Sequence, residues 1–98
     1  MRVIARPALI GFWTQYPDAR EPLEAWYHLV LRQSFASPHD VKELFATASL
    51  LKDGLVVFNI GGNKYRLVAH IRYDLGIAFI KGVMTHREYD AWTAARKK

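Results

Sequence analysis

A chain of 98 residues, 51% of them apolar, is one domain with a modest core, and its formal charge of +5 and pI of about 9.7 favour a polyanionic partner, nucleic acid or an acidic protein. It has no cysteine, which excludes disulfides and thiolate metal sites and fits a cytosolic protein. No apolar run reaches the length of a membrane span, and residues 1–9 lack the apolar region of a signal peptide.

Residues 2–6 alternate and predict a short first strand. Pro7 suits the first turn of a helix on which Leu9, Ile10 and Trp13 fall at helical spacing, and Tyr16, Pro17 and Asp18 end it. Leu23, Trp26, Tyr27, Val30 and Leu31 form one apolar stripe of a second helix, with Pro22 near its start and Glu21 and Glu24 complementing its dipole. Ser37, Pro38 and Asp40 have the spacing of a capping box. They predict a third helix whose buried face is Val41, Leu44 and Phe45. Lys52, Asp53 and Gly54 predict a turn.

Three strands follow. Val56 to Ile60 is the first, and Gly61, Gly62 and Asn63 make a hairpin loop of residues that tolerate positive φ. Lys64 to Tyr73 is the longest, with Tyr65, Leu67, Ala69, Ile71 and Tyr73 on one face and Arg66, Val68, His70 and Arg72 on the other. Asp74, Leu75 and Gly76 turn the chain into a last strand, Ile77 to Val83. Thr85 and Glu88 have capping-box spacing and predict a short helix carrying Tyr89 and Trp92, and Arg96, Lys97 and Lys98 read as a frayed basic tail. The order predicts an α+β fold. An N-terminal strand and two to three helices cover one face of a small, mostly antiparallel sheet, whose other face is partly open and carries Arg66, His70 and Arg72.

Basic and amphoteric groups are threaded through residues 56–89: Lys64, Arg66, His70, Arg72, Lys81, His86 and Arg87. Cleavage of an RNA phosphodiester needs positive charge on the phosphate, a group to take the 2′-OH proton and one to protonate the leaving 5′ oxygen. Arg66 is the first candidate for the charge, because its planar fork holds phosphate oxygens in pairs; the alternative is a solvated strand residue. His86 is the candidate proton carrier, or else a partner of nearby backbone. Lys64 and Lys81 read either as phosphate contacts or as strand-edge lysines, and Tyr89 either as a stacking or proton-donating group or as packing. His70 lies about 13 Å along the strand from Arg66, too far to share its phosphate. His28 and His39 read as surface residues and Tyr65 as core. No metal or other cofactor is expected, since the four histidines are scattered and no phosphate-binding Gly-rich loop is present.

The string from Val56 to Val68, then Ile71 and Tyr73, then Thr85, His86, Glu88, Tyr89 and Asp90, resembles the HigB toxin family, and similarity runs through the helices as well. The resemblance implies a RelE-like fold of helices against a small antiparallel sheet. It also implies an mRNA endoribonuclease that acts on translating ribosomes. A HigA-type helix-turn-helix antitoxin is the implied partner, through which alone the toxin would meet operator DNA. By position, Arg66 matches the strand arginine at the scissile phosphate, His86 and Tyr89 match the segment at the sheet exit, and Lys81, a further catalytic candidate, stands where relatives carry an arginine and keeps its charge without the fork. Asn59, Asn63 and Lys64 fall in the hairpin motif, and with Arg72 and Arg87 they complete the candidate RNA contacts. Relatives usually carry Arg-Phe-Ile-Gly where this chain has Lys81, Gly82, Val83 and Met84. That leaves a non-catalytic module that binds RNA or an antitoxin as the alternative.

Overall fold

The computed structural model describes residues 1–96. Strand β1 (Arg2–Ile4) leads into helix α1 (Pro7–Gln15), a 3₁₀ turn at Pro17–Ala19, helix α2 (Arg20–Leu31) and helix α3 (Pro38–Leu44). Strand β2 (Ser49–Leu50) and a 3₁₀ turn at Lys52–Gly54 precede β3 (Leu55–Ile60), β4 (Tyr65–Arg72), β5 (Ile77–Thr85) and helix α4 (His86–Arg96). The sheet order is β1-β5-β4-β3-β2; β1 runs parallel to β5 and every other pair is antiparallel. This is the expected α+β, RelE-like arrangement.

The period-2 pattern sends Val56, Phe58 and Ile60 of β3, and Tyr65, Leu67, Ala69 and Ile71 of β4, into the core beneath α1, α2 and α3. Leu9, Leu23, Trp26, Val30 and Val41 meet them from the helices, and Phe58 sits edge-on to both Trp26 (5.3 Å) and Phe45 (4.9 Å). The N-terminal ammonium donates to Leu31 O (3.0 Å), to Val30 O and to Gln33 O, tying the start of β1 to the C-terminal end of α2 and the residues just after it.

Several details differ from the expectations. The first strand stops at Ile4 because Ala5 takes a left-handed φ of 75°. Leu31 and Leu44 are exposed, so the stripe of α2 and the buried face of α3 are narrower than their spacing suggests. Ser37 makes no side-chain cap; Asp40 instead accepts from the Ala36 N–H at 2.8 Å. Strand β2 adds an edge that its two residues could not announce. The C-terminal helix includes Arg96, and Lys97 and Lys98 lie outside the described residues.

The second face of the sheet is less open than its polar residues suggest. Arg66 (8% exposed), Val57 and Val68 all point away from the helical core yet are buried. Helix α4 lies over this face and reaches from the end of β5 toward Leu50 and Lys52 at the opposite edge.

Candidate active site

The β3–β4 hairpin closes on a loop, Gly61–Lys64, in which Gly61 and Gly62 take φ of 63° and 70°, conformations open to glycine at little cost. The loop brings Asn63 back over β4. Asn63 Oδ1 accepts from Arg66 Nη2 at 2.8 Å, and the carbonyls of Asn63 and Tyr65 accept from Nη1 at 3.1 and 3.2 Å. Every one of these acceptors is neutral. Among the described residues no carboxylate forms an ion pair with Arg66, so its charge is desolvated and uncompensated. Tyr89 covers the guanidinium, with Cζ 5.6 Å from the ring centroid.

Register places the rest. Asn59 pairs with Arg66 from β3 and Met84 from β5, so the three share one face. Met84 is an ordinary strand residue without positive φ, contrary to the special turn that a glycine there would suggest. Gly82 pairs with Val68 and its backbone is likewise unstrained; a Cβ built there meets only the Met84 Cε, at 3.6 Å. Lys81 is the extra residue of a β-bulge, because Val68 pairs with Gly82 while Ala69 pairs with Ile80. The bulge keeps Ile80 and Val83 both facing the core and leaves Lys81 exposed.

Thr85 ends β5 and caps α4: its Oγ1 accepts from the Glu88 N–H at 3.1 Å, and Glu88 Oε1 accepts from the Thr85 N–H at 2.8 Å. This box fixes the helix start, and with it His86, two residues beyond the partner of Arg66. The Nδ1 of His86 lies 3.3 Å from Asp90 Oδ2, one helical turn on, an arrangement that orients the imidazole and aims Nε2 away from that carboxylate. Arg87 is exposed on the same turn.

Arg66, Asn59, Asn63, His86 and Tyr89 therefore gather at one end of the sheet. Other candidates lie elsewhere or are engaged. Lys64 is ion-paired with Asp18 of the first 3₁₀ turn, and the Tyr65 O–H donates to the other oxygen of that carboxylate at 2.6 Å. The hydrogen bond from Lys64 holds the Asp18 carboxyl below its usual range, and Asp18 raises both Lys64 and Tyr65. Arg72 forms a two-point pair with Asp74 (3.1 and 2.8 Å), about 20 Å along β4 from Arg66. His70 stacks near Phe79 and packs against Gly54. Sequence reasoning assigns Asp90 no role and reads Arg96 as a frayed tail; the signal that could have found them is spacing, Asp90 at i+4 from His86 and Tyr89, Trp92 and Arg96 at i, i+3 and i+7.

The buried arginine, the histidine at the start of the capped helix and the covering tyrosine belong to a chain with known relatives. The family described as HigB_toxin, RelE-like toxic component of a toxin-antitoxin system, matches residues 19–92. The mRNA interferase toxin HigB of Escherichia coli (strain K12) is 33% identical over 99 residues, covering 99% of this chain and 95% of that protein. The mRNA interferase HigB of Shigella flexneri matches to the same extent, and that of Escherichia coli O6:H1 is 25% identical over 95 residues, 95% of this chain and 92% of that protein. On this match the chain belongs to the HigB toxin family, the RelE-like toxic components of toxin–antitoxin systems.

Proposed function

We propose that this protein is an mRNA endoribonuclease that works in the cytoplasm without a metal ion, cuts mRNA on the ribosome and so stops translation. The buried, uncompensated Arg66 carries the reading. A structural arginine this deeply buried is ordinarily matched by a carboxylate; one held only by neutral acceptors suits an incoming phosphate. In the proposed step the 2′-OH attacks the adjacent phosphorus and the bond from phosphorus to the 5′ oxygen breaks. Arg66 balances the charge that builds on the phosphoryl oxygens, and His86 passes the proton lost by the 2′-OH to the departing 5′ oxygen, leaving a 2′,3′-cyclic phosphate and a 5′-hydroxyl. Tyr89 and Asn63 hold Arg66 in place, while Asn59, Lys81 and Arg87 contact RNA around it. The ribosome supplies orientation that so small a surface lacks. A HigA-type helix-turn-helix antitoxin neutralises the protein and alone connects it to operator DNA.

The test is induction of the protein in cells, with primer extension on a reporter mRNA, for wild type, Arg66→Ala and His86→Ala. Growth arrest and new mRNA ends are expected from wild type, with cleavage lowered at least about 10²-fold in Arg66→Ala. Unchanged cleavage in Arg66→Ala would remove the site assignment. A wild type that binds RNA but never cleaves it, with Arg66→Ala losing affinity alone, would leave a binding module instead.

A further inference from the structure

We propose that the groove between α4 and the β2 edge is a nucleotide subsite, in which the base next to the scissile phosphate lies against Trp92 and its own phosphate meets Lys52 and Arg96. The inference rests on the ribonuclease reading and extends it to residues outside the Arg66 centre. The groove encloses about 450 Å³ and is lined by Leu50, Lys52, Tyr89, Trp92, Thr93 and Arg96. That volume falls within the range of organic-ligand sites.

One face of α4 makes the wall. Tyr89, Trp92 and Arg96 follow at i, i+3 and i+7, and they continue the contact that begins on the sheet. Arg66 stands 5.6 Å from the Tyr89 ring, Tyr89 stacks on Trp92 at 5.8 Å and 27°, and Arg96 stands 4.7 Å from the Trp92 ring. The result is a ladder of two aromatic rings with a cation at each end. Tyr89 belongs to both the Arg66 centre and the groove, so RNA held at one continues into the other.

The groove has the features of a surface awaiting a ligand. No residue of α4 is fully buried, and Leu50 on the facing wall is 43% exposed, so both walls of the groove present apolar surface to solvent. Among the described residues neither Lys52 nor Arg96 has an ion-pair carboxylate. Arg96 covers the outer face of Trp92, so a base takes that face as the guanidinium moves from the ring onto the phosphate, which matches the two chemistries of single-stranded RNA, the faces of its bases and the charge of its backbone. An acidic peptide would use the cations but not the rings.

The experiment uses the full chain and short RNAs whose cleavable 2′-OH is methylated. Each nucleotide flanking the blocked bond is replaced in turn by an abasic residue, and binding is followed by fluorescence anisotropy. Trp92→Ala is expected to weaken the intact RNA about tenfold or more and to leave unaltered the RNA that is abasic at the subsite. Trp92→Phe, which keeps a stacking ring and the packing of α4, is expected to restore most of the loss. Lys52→Gln is expected to weaken both RNAs equally. Equal weakening of intact and abasic RNA by Trp92→Ala, or no weakening, would overturn the subsite. So would a loss confined to binding of an acidic antitoxin peptide. Unblocked RNA run in parallel separates the two ideas: wild type that cleaves, with no base-dependent effect at Trp92, sinks the subsite alone, whereas wild type that never cleaves sinks the ribonuclease reading.

Discussion

Arg66 is held in place by its own hairpin rather than by a counter-charge, so its working geometry depends on Asn63. Arg66→Lys keeps the charge but loses the fork, and single-turnover cleavage is expected to fall about 10²-fold. Asn63→Ala removes the bond to Nη2 and leaves the charge, so a smaller fall, about tenfold, is expected, with Arg66→Lys/Asn63→Ala no worse than Arg66→Lys alone. Additive losses would show that Asn63 touches RNA in its own right. The Asp18–Lys64–Tyr65 cluster makes a pH prediction. Because the folded protein lowers the Asp18 pKa, chiefly through the Lys64 hydrogen bond, the stability this carboxylate adds is fully present above its unfolded value, about 3.9, and drains away as pH falls through the lower folded one. Lys64 and Tyr65 are raised, so their share is complete below about pH 10 and is lost as pH rises through their raised values. Urea melts of wild type and Asp18→Asn should differ at pH 7 and converge toward pH 2.5; a constant gap across that range would remove Asp18 from the account. The placement of Arg66 was legible because strand alternation puts it opposite Tyr65. The pairing of Lys64 was not, since Asp18 lies 46 residues away and no local pattern connects them.

The β5–α4 junction joins the sheet to the helix that carries both His86 and Tyr89, and a two-way capping box secures it. Thr85→Ala leaves the Glu88 N–H without its cap, and a loss of about 1 kcal/mol is expected by urea denaturation. Cleavage should fall further than this small loss of stability explains, because the helix start sets the positions of His86 and Tyr89. Normal cleavage with the expected loss of stability would mean that the packing of α4, not its cap, aligns the site. Thr85 and Glu88 were readable from spacing alone. The bulge at Lys81 was not: Ile77 to Ile80 is a run of apolar residues, and a strand buried on one face and half-covered on the other shows no clean alternation in which a one-residue slip would stand out. The same coverage explains why Val68 and Arg66 looked solvent-facing. Alternation reveals which residues share a face, but not whether a helix from later in the chain will lie over it.

The whole molecule keeps its two tasks on opposite faces of one sheet. The helices α1 to α3 and the apolar residues of β3 and β4 make the core on one side, while α4, Arg66 and the groove occupy the other. Sequence patterning revealed the first side well, because a core is a matter of periodic apolar residues; the second depends on where α4 comes to rest, which only tertiary packing decides. The same division sorts the charges. A net charge of +5 does not say which cations are free to meet RNA, and the ion pairs narrow the choice. Lys64 is already neutralised by Asp18, and Arg72 by Asp74, so neither is free to neutralise a phosphate and release the cation condensed on the RNA. Lys81 is exposed at the bulge and, among the described residues, has no carboxylate partner. For single-stranded RNA each neutralised phosphate steepens the dependence of log K on log salt by about 0.7. Lys81→Gln is therefore expected to flatten that slope by about 0.7, whereas Lys64→Gln should leave it unchanged, both measured on uncleavable RNA between about 50 and 200 mM salt. Equal flattening by the two variants would mean that Lys64 leaves Asp18 to follow the RNA, and that the binding surface wraps around the hairpin end of the sheet. A flat response to Lys81→Gln, with the slope instead lost in Arg87→Gln, would place the RNA along the outer side of α4 and away from the bulge.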